Sequence, residues 1–181
     1  MAHPRPAEEI RTERLVLRRL KASDAKAVFR AIDTNREHLS PWLPWLDKTH
    51  TIADMQFTIE LWHDSWESGV AYDFGCFSLS DEFLGRCGLH SIDWSVPRGE
   101  FGYWLVKKAE GQGILAEALT ALEREFFRLG FERLEVRCDT LNQRSFRVPE
   151  RLGYVHEGTL HREVRHRGQL RDTMVWAKLR R

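Results

Sequence analysis

The sequence predicts an α/β fold of the α+β type, in which helices flank a mixed, mostly antiparallel, twisted sheet of about seven strands. Three successive segments rich in aromatic and aliphatic residues, 72–79, 83–92 and 100–106, are separated by short polar turns and predict an antiparallel meander. A glycine loop, an amphipathic helix and another strand follow, up to residue 138, and such a helical crossover normally joins parallel neighbours. The sheet is therefore predicted to be mixed.

The chain before the meander predicts one strand and two helices. Residues 14–18 alternate in part between apolar and polar and predict a strand, and Ser23-Asp24 begin a helix over 25–35. Two prolines exclude residues 40–45 from a helix interior, so we expect a loop there. Thr51 and Asp54 resemble a capping box, after which apolar residues recur at helical spacing up to Gly69.

The chain after the meander predicts two helices and three strands. Residues 111–113 precede an amphipathic stripe that ends at Gly130, which predicts the best-defined helix. Residues 134–138 predict a strand, and 142–152 predict a short helix that Pro149 should kink or deprive of one hydrogen bond. The final strands, 159–165 and 170–178, turn at Arg167-Gly168.

The composition is that of one globular domain. A chain of 181 residues with 42% hydrophobic content is long enough for one well-cored domain, to which we assign residues 1–181. The formal net charge is only +1, so no overall field favours nucleic acid or a membrane as partner. Residues 1–14 lack the apolar core of a signal peptide, and no charge-free run is long enough to span a bilayer. We expect a cytoplasmic protein.

The thiols and imidazoles do not predict a metal site. Cys76, Cys87 and Cys138 are odd in number and lack CxxC spacing, which favours reduced thiols packed in the core. The eight histidines are scattered along the chain. We therefore expect no structural metal.

The glycines at residues 111 and 113 are the first candidates for ligand binding. Glycines at a helix start allow backbone N–H groups to surround a phosphate, and the positive end of the helix dipole favours the anion. The segment is neither a Walker loop nor GxGxxG, so an ordinary tight turn is the alternative.

Seven stretches together resemble the GNAT superfamily of N-acetyltransferases, and most closely its RimJ/RimL-like branch, which acetylates the N-termini of ribosomal proteins. They occur in the family's order and cover nearly the whole chain: TERLVLR (12–18), NREHL (35–39), PWLPW (41–45), FGYWL (101–105), GQGI (111–114), NQRS (142–145) and ERLGY (150–154).

The resemblance implies acetyl-CoA as co-substrate and a sheet whose strands 100–106 and 134–138 splay apart to admit the pantetheine arm. The arm would pair with backbone groups around Trp104, Leu105 and Val106, and Asn142 would also contact the cofactor. The pyrophosphate would lie on N–H groups of the loop formed by Glu110, Gly111, Gln112, Gly113, Ile114 and Leu115.

Two residues of this loop depart from the family pattern. Glu110 replaces an Arg or Gln, and Leu115 occupies a small-residue position. We expect weaker rather than absent cofactor binding, because the contacts are made mainly by backbone. Arg144, Arg147 and Arg151 share one helical stripe and could compensate, although a solvated basic face is an equal alternative.

Acetyl transfer needs a base for the amine and a group that stabilises the leaving thiolate. The resemblance implies Glu100 as the general base, with an exposed strand-end glutamate as the alternative. The tyrosine that many GNAT enzymes use for the thiolate is Pro149 here, and Ser145 is the substitute that the resemblance implies. Ser145 could equally be a helix-start residue without chemical role.

The acceptor amine is the least determined part of the function. The resemblance favours a protein N-terminal α-amine, with Trp42 and Trp45 on the acceptor side of the cleft, where large aromatics can line a peptide groove. A small-molecule amine such as a polyamine, amino acid or antibiotic stays open, as does a non-catalytic acyl-CoA-binding protein. The sequence also leaves open whether the chain forms a homodimer.

Overall fold

One twisted sheet organises the part of the chain that the computed structural model describes, residues 3–181. Its eight strands within that range are β1 (Glu9–Arg11), β2 (Leu15–Arg19), β3 (Tyr72–Ser78), β4 (Phe83–Asp93), β5 (Arg98–Leu105), β6 (Arg133–Asp139), β7 (Val155–His166) and β8 (Gln169–Leu179). Their order is β1-β2-β3-β4-β5-β6-β8-β7. Every neighbouring pair is antiparallel except β5 and β6, which are parallel, so the predicted mixed sheet is confirmed.

The helices of the described range are α1 (Ala25–Asp33), α2 (Arg36–Leu39), α3 (Ile52–Ser68), α4 (Ile114–Arg128) and α5 (Gln143–Arg151). Helix α3 begins at the predicted capping box, because Thr51 Oγ1 accepts from Asp54 N, and it ends at Gly69 with φ +72°. Helix α4 makes the crossover from β5 to β6, as its position between those strands predicted.

The core is formed by aromatic side chains that the sheet and α4 share. Phe126 of α4 packs against Tyr72 of β3 and Phe101 of β5, with ring centroids 6.0 and 5.9 Å apart. Trp66 at the end of α3 is buried and lies edge-on to Tyr72 and Phe74. These contacts fix α3 and α4 relative to the sheet that carries the candidate site.

Several short segments differ from the sequence-based expectation, and one of them is α2, which was not predicted. Strand β1 was not predicted, because three residues are too few to show an alternating pattern, and its pairing with β2 matches Ile10 with Leu17. The prediction of a loop over residues 40–45 is wrong for its last two residues, because a 3-10 helix, Pro44–Lys48, begins there. Pro44 stands at the start of that helix, where its missing N–H removes no hydrogen bond.

Candidate active site

A wedge opens between two parallel strands at the centre of the sheet. Strands β5 and β6 pair from Arg98↔Arg133 to Phe101↔Val136, and the pairing stops there. Strand β5 continues to Leu105 while still paired with β4. We call the space between residues 102–105 of β5 and 137–139 of β6 the wedge. The splayed sheet implied by the resemblance is thus present.

Only some of the backbone N–H and C=O groups of β5 point into the wedge. Val106 N donates to Leu84 O at 2.9 Å, and Val106 O accepts from Ala109 N at 2.9 Å, so both groups of Val106 are engaged within the protein. Because backbone N–H and C=O directions alternate along a strand, Leu105, unlike Trp104 and Val106, directs these groups away from β4 and into the wedge. Leu105 is therefore the residue of the predicted trio best placed for a pantetheine amide.

The predicted pyrophosphate loop lies at the start of α4. Gly111 and Gly113 have φ of +73° and +75°, a left-handed conformation that glycine adopts without strain. Glu117 N donates to Gly113 O, the first helical bond of α4, so the N–H groups ahead of it have no intrahelical carbonyl. Ile114 is buried and Leu115 packs against the core, which leaves their backbone rather than their side chains for an anion.

Arg14 contacts both this loop and the first turn of α4. Its guanidinium donates through NH1 to Gln112 O at 3.0 Å and through Nε to Glu117 Oε2 at 2.6 Å. The TERLVLR stretch is therefore joined directly to the first turn of α4, a contact that the sequence alone did not predict.

Glu110 makes two contacts that join the loop to other elements. One carboxylate oxygen lies 2.9 Å from His38 Nε2 on α2, and the other accepts from Arg144 NH1 on α5 at 2.6 Å. Arg144, one of the three arginines of the predicted helical stripe, thus forms an ion pair with the unexpected carboxylate. Since α5 follows β6 and the loop follows β5, this Glu110 bridge crosses the mouth of the wedge.

Glu100 lies on β5 before the strands diverge, between its cross-strand neighbours His90 and Glu135. Its two carboxylate oxygens are 3.9 Å from His90 Nε2 and 3.7 Å from Arg137 Nε, beyond ordinary hydrogen-bond distance. Together with Arg98 and Arg137 it lines a cavity of about 140 Å³. The carboxylate is therefore free to accept a proton from a small group placed there.

The surroundings of Glu100 suit it to proton transfer. Burial raises the pKa of Glu100 to about 7, Arg137 acts against this rise, and the charges of Glu135 and Glu163 add to it. A base with this pKa is about half ionised at neutral pH and still able to hold a proton. Burial also lowers the pKa of the neighbouring His90.

Ser145 lies on the first turn of α5, on the other side of the wedge from Leu105. Asn142 caps this helix, since its Oδ1 accepts from Ser145 N at 3.2 Å. Ser145 Oγ donates to Tyr103 OH at 3.3 Å, and Tyr103 OH donates to Ser145 O at 3.1 Å. Asn142 thus orients the helix start, whatever else it contacts.

The two predicted acceptor-side tryptophans differ in their surroundings. Trp42 is exposed, whereas Trp45 packs partly against the core. Their segment follows α2, whose His38 contacts Glu110 of the cofactor loop. Asn35, the residue before α2, accepts through Oδ1 from Lys107 N at 2.9 Å, three residues ahead of that loop.

Three residues that sequence reasoning missed belong to this site: Arg14, His38 and Tyr103. Each lies in a stretch that carried the resemblance, but their partners are far away in sequence, at positions 112, 110 and 145. The one sequence signal for Tyr103 was the two-residue period of β5, which places its side chain on the same face as Phe101. Phe101 belongs to the last β5–β6 pair, so the phenol lies two residues beyond that pair.

Within residues 3–181, His, Cys, Asp and Glu side chains form no group of three that could hold a metal ion. The helices over the same stretch are each too short or too polar to cross a lipid bilayer.

The class of protein follows from the fold, the wedge and comparison with known proteins. The acetyltransferase (GNAT) domain family matches residues 14–155, and the chain belongs to this family. It is thus an acetyl-CoA-dependent N-acetyltransferase, with the RimJ/RimL-like character expected from its motifs.

Individual relatives make the likeness more specific. The chain is 30% identical over 180 residues to the [ribosomal protein uS5]-alanine N-acetyltransferase of Escherichia coli (strain K12), covering 95% of this chain and 91% of that protein. It is 29% identical over 150 residues to the ribosomal-protein-serine acetyltransferase of the same organism, covering 82% and 83%. The solved structure of RimL, a ribosomal-protein α-N-acetyltransferase in complex with coenzyme A, has a TM-score of 0.91 at 24% identity, over 95% of this chain and 98% of that one. This last likeness shows a shared fold.

Proposed function

We propose that this enzyme transfers the acetyl group of acetyl-CoA directly to the N-terminal α-amine of a protein, with a ribosomal protein as the acceptor. The observation that carries the proposal is Glu100, a partly buried carboxylate with a pKa of about 7 just before the point where β5 and β6 diverge. Its oxygens form no hydrogen bond with any side chain or backbone group of residues 3–181. The relatives named for ribosomal-protein acetylation support the choice of acceptor. A ribosomal acceptor also places the enzyme in the cytoplasm.

Binding of acetyl-CoA is assigned to the wedge and its mouth. Leu105 would pair with the pantetheine, and the N–H groups of residues 111–115 would hold the pyrophosphate at the positive end of α4. The ion pair with Arg144 reduces the repulsion between Glu110 and the phosphates. Acetyl-CoA supplies the acetyl group as an activated thioester.

Glu100 would accept the proton of the incoming ammonium so that an uncharged amine attacks the thioester carbonyl. An α-amine ordinarily has a pKa of about 7.7 to 8.0, against about 10.4 for lysine, so a carboxylate with a pKa near 7 can deprotonate it with little uphill cost. Ser145 would donate a hydrogen bond to the departing sulfur of CoA as the carbon–sulfur bond breaks and so stabilise the thiolate, which takes up the second proton that the attacking nitrogen releases. A lysine acceptor would be a poorer match to this base.

The test is to follow release of the CoA thiol with wild-type enzyme, acetyl-CoA and two matched peptides. One peptide has a free N-terminus and acetylated lysines, and the other has an acetylated N-terminus and free lysines. Thiol release with the first peptide only, and acetyl found at its N-terminus by mass spectrometry, is expected. Turnover confined to polyamines, free amino acids or aminoglycosides would instead establish a small-molecule enzyme, and CoA binding without any turnover would establish a binding protein.

A further inference from the structure

A proline inside α5 leaves one carbonyl of that helix without its usual donor. In an α-helix the carbonyl of residue i accepts from the N–H of residue i+4, and proline has no N–H. Pro149 lies four residues after Ser145, within α5. The Ser145 carbonyl therefore has no i+4 partner, and Tyr103 OH donates to it at 3.1 Å. A phenol from β5 thus replaces the missing bond of α5.

The same phenol also fixes the side chain of Ser145. Since the Tyr103 hydrogen is directed at the carbonyl, the phenol oxygen is left as an acceptor, and Ser145 Oγ donates to it at 3.3 Å. Burial raises the pKa of Tyr103, so the phenol keeps its proton and remains a donor. Both contacts cross from β5 to α5 just beyond the last β5–β6 pair, Phe101↔Val136.

We propose that Tyr103 is a positioning residue for acetyl transfer. By donating to the Ser145 carbonyl, which Pro149 leaves without its helical donor, Tyr103 holds the Ser145 hydroxyl next to the position of the thioester sulfur. This inference rests on the proposed role of Ser145 toward the leaving thiol. During transfer the Ser145 hydroxyl turns from the phenol oxygen to the sulfur, while Tyr103 stays bonded to the Ser145 carbonyl and keeps the serine in place. Tyr103 itself transfers no proton.

The first test compares two Tyr to Phe variants that lose the same kind of bond. Tyr72 is a buried tyrosine of β3 whose OH donates to Pro4 O at 3.1 Å, away from the wedge. Tyr103→Phe should lower kcat about tenfold with the KM for acetyl-CoA unchanged, because one hydrogen bond to the reacting geometry is lost. Tyr72→Phe should lower Tm to a similar degree and leave kcat at the wild-type value.

The second test separates positioning from stability. In Tyr103→Phe the Ser145 carbonyl is left unpaired, and Pro149→Ala supplies the missing backbone N–H. The double variant Tyr103→Phe/Pro149→Ala should therefore recover Tm without recovering kcat. In a Ser145→Ala background, Tyr103→Phe should lower kcat no further, since the residue that it positions is gone. Full recovery of kcat by Pro149→Ala, or an equal loss of kcat with and without Ser145, would show a purely structural role.

A third measurement does not depend on the acceptor. The thiolate absorbance of the CoA complex, followed against pH, reports the acidity of the bound thiol. Tyr103→Phe and Ser145→Ala should each lower the acid dissociation constant of that thiol about tenfold, and Tyr72→Phe should not change it. An unchanged constant in Tyr103→Phe refutes the inference even if no peptide is acetylated. Failure of all peptides with the wild-type enzyme refutes only the proposed acceptor.

Discussion

Glu100 is the residue on which the proposed chemistry depends, and its pKa makes a pH-dependent prediction. A general base works only when deprotonated, so kcat/KM should rise with pH through about 7. Glu100→Gln should lose about 100-fold or more in kcat and flatten that rise, with little change in the affinity for CoA. The measurement is the pH profile of kcat/KM for both enzymes, and an unchanged acid limb in Glu100→Gln would remove this residue from the mechanism.

The charges around Glu100 give a finer test. Glu163 helps to raise the pKa of Glu100 and Arg137 opposes the rise, although neither lies within hydrogen-bond distance of its carboxylate. Glu163→Gln should shift the acid limb of the pH profile toward lower pH, and Arg137→Gln should shift it toward higher pH. Shifts in the same direction would mean that the limb reports another group.

Burying Glu100 also carries a cost in stability. The pKa of Glu100 in the folded chain, about 7, lies above its ordinary value of 4.5, so folding favours the protonated form. Its contribution to stability is complete at low pH and is lost as pH rises through about 7. Glu100→Gln should therefore equal the wild type near pH 4 and be more stable at pH 8, by up to about 3 kcal/mol. Denaturant unfolding at the two pH values checks this, and a pH-independent difference would contradict the pKa.

At the scale of secondary-structure elements, the Glu110 bridge joins α2, the loop before α4 and the start of α5. Its carboxylate stands beside the amides assigned to the pyrophosphate and also occupies Arg144. Glu110→Gln should therefore bind CoA about three- to tenfold more tightly, because a like charge is removed and Arg144 becomes available. Calorimetric titration of CoA at low salt measures the effect.

A matched control is Glu82→Gln, which removes a carboxylate that pairs with Lys108, ahead of the loop, and takes no part in the Glu110 bridge. This variant should leave the CoA affinity unchanged. Weaker binding in Glu110→Gln would mean that the bridge serves to position Arg144 and His38 for the phosphates.

The elements were predictable where local patterns are strong. The capping box and Gly69 marked both ends of α3, and the glycines around 111–113 and 130 marked those of α4. Short elements could not be found this way: β1 has three residues and α2 has four, so neither shows a period. Pro149 costs α5 one backbone hydrogen bond, in line with the expectation, and Tyr103 of β5 donates to the Ser145 carbonyl that is left without its helical partner.

For the whole molecule, the crossover from β5 through α4 to β6 determined the parallel pair, and that pair creates the wedge. Glu100, Ser145 and the glycine loop became candidates through the family resemblance of the stretches around them, and their roles stay predictions. Contacts such as Tyr103 with Ser145 or His38 with Glu110 could not be predicted, since they join segments 42 and 72 residues apart through the tertiary fold. From a single sequence alone, one cannot derive which polar groups that are distant in sequence come into contact.

The most direct test of the wedge as the acetyl-CoA site is a crystal structure of the wild-type enzyme with CoA. We expect the pantetheine along β5 with hydrogen bonds to the Leu105 backbone, the pyrophosphate on the amides of residues 111–115, and the sulfur beside Ser145. CoA bound at another surface with the space between β5 and β6 empty would contradict the account.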